Sequence, residues 1–155
     1  MKIFVSVGTR PNQFDRLVKE MDLLAKNKTV QVFIQNGNST YEPKYAKYSK
    51  FLNYNEQLKE IKSSDLIVMH AGAGTLIDAL SNNKAIILFP RLERFGEHTN
   101  DHQIELCQAI KKKYNIPFTL NEKELPLLIK QIKLNANKTT NKESKLLNEI
   151  KSLLN

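Results

Sequence analysis

Two uninterrupted apolar runs constrain this chain most: Leu66-Ile67-Val68-Met69 and Ala85-Ile86-Ile87-Leu88-Phe89-Pro90. Runs without polar alternation suit strands that are covered on both faces, which is the habit of parallel sheets. Between them Leu76, Ile77, Ala79 and Leu80 recur at helical spacing and predict a helix over Thr75 to Leu80. Strand, helix and strand with short joints make a crossover unit of an α/β fold.

The rest of the chain extends that unit. Residues 2–7 and 30–34 read as strands, and Phe14, Leu17, Val18, Met21, Leu24 and Ala25 predict a helix between them. Asn36-Gly37-Asn38-Ser39-Thr40 breaks the second strand. Residues 41–50, polar and tyrosine-rich, read as a connection, Phe51-Leu52 as a short third strand, and Glu56 to Ile61 as a short helix. A helix is predicted from Asp101 to Lys113, with Ile104, Cys107, Ala109 and Ile110 inward. An edge strand follows at 116–120, then helices over Glu122 to Lys133 and Lys142 to Leu154. The whole is an α/β chain with a Rossmann-like α/β/α parallel sheet over 1–134. A polar joint and an amphipathic C-terminal helix are expected over 135–155, striped by Leu146, Leu147, Ile150, Leu153 and Leu154.

No apolar run reaches the roughly 20 residues that span a bilayer, and the strand-like start does not resemble a signal peptide. The single cysteine, Cys107, excludes an internal disulfide and reads as a small buried residue. These features suit a cytoplasmic chain. The net charge of +8 favours anionic partners in general. The lysines read as scattered apart from Lys111-Lys112-Lys113, without the aromatic-interleaved basic stripe of an RNA-binding surface, so no nucleic-acid partner is expected.

The chemistry gathers where strands end. His70-Ala71-Gly72-Ala73-Gly74-Thr75 follows one apolar run, and Gly96-Glu97-His98-Thr99-Asn100-Asp101-His102-Gln103 follows the other. Gly8-Thr9 follows the first strand. Ligands bind at that edge of an open parallel sheet. Gly72 and Gly74 let backbone approach a ligand, and a helix starting near Gly74 aims free N–H groups at an anion such as a diphosphate. Thr75 is a cap or a phosphate contact. Asp78, one turn on, is a ribose acceptor or a solvated helix-start acid. Asp101, His102 and Gln103 can read hydroxyl patterns, and Asp101 equally suits an N-cap. Arg10, Arg91 and Arg94 are phosphate cations or surface arginines. A metal at His98 and His102 lacks a third ligand, so none is expected. Together the loops predict a pocket for a phosphate-bearing, polyhydroxylated ligand of the sugar-nucleotide kind.

With Phe4-Val5-Ser6-Val7-Gly8-Thr9, Phe14-Asp15-Arg16-Leu17 and Tyr41-Glu42-Pro43-Lys44 in order before those loops and Pro90-Arg91, residues 1–120 resemble the donor-binding half of family 28 glycosyltransferases. More narrowly, the chain is similar to the small subunits of split bacterial exopolysaccharide and capsule glycosyltransferases. The resemblance implies one half of a GT-B fold that binds a UDP-sugar without metal or other cofactor. It also implies a separate membrane-associated subunit that binds the lipid-linked saccharide acceptor and supplies the base, and so a peripheral position at the inner membrane face. It puts Gly72, Gly74 and Thr75 on the donor's diphosphate, Asp78 at its ribose and Asp101 and Gln103 at its sugar, and with the loop reading the donor-binding set is Gly8, Thr9, His70, Gly72, Ala73, Gly74, Thr75, Asp78, Arg91, Asp101 and Gln103. His70 and His98 are the catalytic candidates within this chain. The remaining alternatives are a noncatalytic enhancer of an active partner and a stand-alone nucleotide-binding enzyme. Against the latter, Val7-Gly8-Thr9-Arg10-Pro11 is not the G-x-G-x-x-G of dinucleotide sites.

Overall fold

The computed structural model describes residues 1–135 and residue 152. Strands β1 (Lys2–Ser6), β2 (Gln31–Gln35), β3 (Lys47–Ser49), β4 (Leu66–Met69) and β5 (Ala85–Leu88) form one sheet in the order β3-β2-β1-β4-β5. All four pairings are parallel. The chain builds outward from β1 to β3, then returns to the other side of β1 for β4 and β5. Strand order therefore reverses between β1 and β4, and the loops leaving those two strands diverge around a crevice.

Alternation within the buried strands sorts the core into two layers. Ile3, Val5, Leu66, Val68, Ile87 and Phe89 face α1 (Asp15–Ala25) and α5 (Leu125–Asn135), meeting Phe14, Leu17, Met21, Leu125 and Ile129. Phe4, Ile67, Met69, Ile86 and Leu88 face α2 (Tyr54–Ser63), α3 (Ala73–Ser81) and α4 (His102–Tyr114), meeting Ile61, Leu76, Ala79, Cys107 and Ile110. Because both faces are covered, the central strands need apolar residues at every position, which is why the two runs lack alternation.

The third strand differs from expectation. Residues 41–50 are not merely a connection, since Lys47–Ser49 pair with Phe33–Gln35, and Phe51-Leu52 lies outside the sheet. A short edge strand with two exposed residues carries no burial pattern to reveal it. Two carboxylates of α1 hold it instead. Asp22 accepts hydrogen bonds from the backbone N–H of Lys44, Tyr45 and Ala46 at 2.8–2.9 Å and from the Tyr41 hydroxyl at 2.8 Å. Asp15 accepts from the N–H of Thr40 and Tyr41 and from the Thr40 hydroxyl. Burial opposes ionisation of both, but these donors outweigh it and hold each carboxyl below its usual range.

Smaller differences follow from caps and exposure. Asn53 and Glu56 form a capping box that starts α2 two residues before the expected position. Ala109 faces solvent rather than the core. Residues 116–120 contribute a single parallel bridge between Leu88 and Phe118. A 3-10 turn at Glu122–Glu124 precedes α5, so the helix expected from Glu122 starts at Leu125. The expected helix over Lys142 to Leu154, with its apolar stripe, lies outside the described residues apart from Ser152.

Candidate functional site

At the crevice between β1 and β4 lies a cleft of about 340 Å³. Gly8, Thr9 and Arg10 border it from the β1 loop, His70 and Gly72 to Thr75 from the β4 loop, and Asp78 from the first turns of α3. Gln35, Leu52, Tyr54 and Gln57 complete its wall.

The anion-attracting element is the start of α3. Gly72 occupies the N-cap position with extended backbone (φ −92°, ψ 132°), and no side chain caps the helix. The first-turn N–H groups are therefore available to a ligand, with the positive end of the helix dipole behind them. A Cβ on Gly74 would meet nothing within 4 Å, so the position opens on free space beside those donors. Thr75 is not the cap. It is buried, and its hydroxyl accepts a long 3.5 Å contact from Gln57 Nε2. Arg10 borders the cleft, and its Nε is buried with no protein partner. Asp78, half-buried, accepts a 3.4 Å bond from the Tyr54 hydroxyl.

Two glycines serve the protein itself as well as the cleft. The His70 ring lies between Gly8 and Gly72. A Cβ on Gly72 would come within 2.4 Å of its Cε1, and one on Gly8 within 2.6 Å of its Nε2. The bare backbone of Gly72 thus makes room for an imidazole. Gly8 also needs its left-handed φ of +79°. The amide of Gln35 holds it there: Oε1 accepts from Gly8 N–H at 3.2 Å, and Nε2 donates to Gly8 O at 3.1 Å. Burial lowers the His70 pKa to about 4, with the Arg91 charge adding to the effect. This imidazole is neutral near pH 7, and it is a weak base.

Arg91 requires correction as a donor-site residue. It is the largest fully buried side chain in the described chain. Nη1 donates to the carbonyls of Asn12, Gln13 and Glu97 at 3.0–3.1 Å, and Nη2 to Val7 O at 2.6 Å. Its guanidinium stacks 4.6 Å from the Phe14 ring centre. Arg91 ties the loops after β1 and β5 together and is not among the residues that border the cleft. Arg16 lies beside the stacked Phe14–Phe89 pair, 4.2 Å from the Phe89 ring centre and 5.9 Å from that of Phe14. Arg16 forms a bidentate ion pair with Glu97, Nε to Oε1 and Nη2 to Oε2, each at 3.0 Å. The motif residues Arg16, Arg91 and Glu97 are therefore a desolvated clamp beneath the loop edge.

The remaining candidates lie on the loop after β5 and at the start of α4, outside the cleft wall. Gln103 Oε1 accepts from Arg91 N–H at 2.9 Å, and Asp101 Oδ1 from Glu93 N–H at 2.9 Å, so Asp101 reaches back along the loop rather than capping α4. His98 is half-buried and accepts from Asn100 N–H at 3.2 Å. Burial, then the charges of Arg10 and Arg91, lower its pKa. Arg94 is exposed beside Phe95. Sequence reasoning missed Gln35, Tyr54 and Gln57. A polar residue directly after the apolar β2 run was the one available signal for Gln35, whereas Tyr54 and Gln57 depend on how α2 docks. No group of three or more metal-ligating side chains converges among the described residues.

The UDP-N-acetylglucosamine transferase subunit ALG13 of mouse is 30% identical over 125 residues, covering 72% of this chain and 10% of that protein. Its counterpart in Candida albicans is 31% identical over 119 residues, covering 76% of this chain and 35% of that protein. The chain thus spans about a tenth to a third of these relatives. Among solved structures, the calicheamicin glycosyltransferase CalG4 superposes with a TM-score of 0.65 at 9% identity, over 99% of this chain and 38% of that one. Os79 of O. sativa, solved in complex with UDP, gives 0.65 at 14% identity, over 99% and 35%. At such identities these two show a common fold, the Rossmann-like half of GT-B glycosyltransferases. Residues 2–155 match the glycosyltransferase family 28 C-terminal domain, and the chain belongs to that family.

Proposed function

We propose that this chain is the UDP-sugar-binding subunit of a two-chain inverting glycosyltransferase. The observation that carries the reading is the cleft where the uncapped start of α3, open Gly74, partnerless Arg10 Nε and Asp78 meet. The diphosphate would rest on the α3 N–H groups with Arg10 beside it, and Asp78 would accept the ribose hydroxyls. The sugar would extend toward the loop after β5, whose shape Asp101 and Gln103 maintain. During transfer an acceptor hydroxyl attacks the anomeric carbon, the bond to the diphosphate breaks, and fixed dipoles receive the negative charge on departing UDP.

The proton of that hydroxyl needs a base from another chain. His70 is enclosed and titrates near pH 4, and His98 does not border the cleft. The ALG13 relatives are named as transferase subunits, which supports a two-chain enzyme. The partner would be membrane-associated and would hold a lipid-linked saccharide acceptor, in exopolysaccharide or capsule assembly. This chain would then work at the inner face of the membrane; no helix among the described residues is long and apolar enough to cross it. Coexpression with a neighbouring membrane-associated glycosyltransferase chain, followed by radiolabel transfer from a panel of UDP-sugars, tests the reading. Transfer is expected only with both chains. Equal transfer by the partner alone would contradict it.

A further inference from the structure

We propose that the edge of the sheet carrying β3 is a direct contact surface for anionic lipid membrane. The segment Lys44-Tyr45-Ala46-Lys47-Tyr48-Ser49-Lys50-Phe51 repeats a lysine–aromatic pair three times, and this corrects the expectation that basic and aromatic residues do not interleave. All three lysines are exposed, and Tyr45, Tyr48 and Phe51 are 49%, 40% and 48% exposed. The backbone presenting them is fixed. Asp22 holds its start, β2 pairs with its middle, and the Gln35 amide and Gly37 N–H both donate to Lys50 O. Ordered large aromatics facing water call for an occupant.

The local charge selects its chemistry. Asp22, the carboxylate beneath the segment, is buried and engaged by its four donors. Lys26 adds a cation 5.7 Å from the Tyr45 ring centre. Exposed Glu42 is the one acid in residues 41–51. Leu23 of α1, 56% exposed, follows Asp22 directly and adds aliphatic surface. Lysines beside Tyr, Phe and Leu suit a headgroup layer, where amphipathic rings settle at the interface and ammonium groups meet anionic phosphates. A protein interface would deplete charge at its centre, whereas here lysine recurs between the aromatics. Exposed rings also stack on the bases of single-stranded RNA, so RNA binding is one outcome that the test separates from lipid binding.

The segment runs straight into Leu52 and Tyr54 on the cleft wall. Docking by this edge therefore brings the cleft mouth to headgroup level. Lipid binding requires no nucleotide, so this inference stands apart from the donor reading.

Vesicle co-sedimentation of the full chain tests it, using phosphatidylcholine alone and phosphatidylcholine with about 30% phosphatidylglycerol. The expected result is at least tenfold tighter binding to the anionic vesicles, weakening as salt screens the contact. Lys47→Glu with Lys50→Glu should weaken it by at least 25-fold, at roughly fivefold per lysine. Lys111→Glu with Lys112→Glu makes the same charge change elsewhere and should weaken it far less. Tyr48→Ser with Phe51→Ser should also release the chain, with an unchanged thermal unfolding midpoint confirming the fold. Equal effects of the two lysine pairs, no preference for anionic vesicles, or binding to a single-stranded RNA 20-mer but not to vesicles would each overturn the proposal.

Discussion

Gly72→Ala separates two roles that a glycine can have in this loop. The backbone at Gly72 is extended, so alanine meets no conformational barrier there. The obstacle is the His70 ring, 2.4 Å and 2.5 Å from the added Cβ at Cε1 and Nε2. The ring cannot retreat, because Gly8 bounds its other side. Overpacking a tight site costs roughly 1–3 kcal/mol, and a trapped ring belongs near the upper end. With His70→Ala in place the clash is gone, and alanine should cost only its weakness as an N-cap, a few tenths to about 1 kcal/mol. The coupling between the two substitutions should thus be about 2 kcal/mol. Urea unfolding of the parent, both single variants and the double variant measures it. Equal losses from Gly72→Ala in both backgrounds would refute the idea that this glycine makes room for His70.

Glu97→Ala should cost about 3–5 kcal/mol by urea unfolding, because Arg16 loses its bidentate partner, keeping the 3.5 Å contact to Glu122 and the carbonyls of Pro90 and Leu120, and the buried Leu92 N–H loses its acceptor; a loss under 1 kcal/mol would show that the clamp contributes little. Stability should fall on acidification between pH 6.5 and 4. His70 is neutral in the fold down to about pH 4, so the unfolded chain takes up a proton that the folded chain refuses, worth up to about 3 kcal/mol. A parent equally stable at pH 7.5 and 4.5, or an unchanged slope in His70→Gln, would sink that assignment. Asp15 and Asp22, with lowered pKa values, extend the loss below pH 4. Asp78→Ala should weaken UDP by about 1.5–3 kcal/mol while sparing inorganic diphosphate, measured by titration calorimetry; equal losses for both would move Asp78 off the ribose.

Elements whose residues are buried on both sides were legible in the sequence. The runs Leu66–Met69 and Ala85–Leu88 declare themselves because no position can be polar, and the glycine-bearing loops follow from where they end. Strand β3 was illegible because its residues are exposed and its position depends on Asp22, which reads in sequence as an ordinary helix acid. Arg91 was misread for the converse reason. An arginine after a strand looks like a phosphate cation, and only the fold reveals four backbone carbonyls around it. The glycines of the β4 loop were found, but Gly72 answers to His70 and Gly74 to open space, a distinction that needs the ring's position. Gln35 stayed hidden since its task is to hold a loop far away in sequence.

Titration of UDP into the parent chain and into Gly74→Val tests the donor cleft most directly. The added side chain enters open space, so the unfolding midpoint should hold within about 1 kcal/mol of stability, while the valine occupies the ground beside the α3 N–H groups. The expected result is UDP binding by the parent, at least a tenfold loss in Gly74→Val, and no binding of NAD by either. UDP binding of equal strength in both proteins, with both folded, would contradict the placement of the diphosphate on this loop.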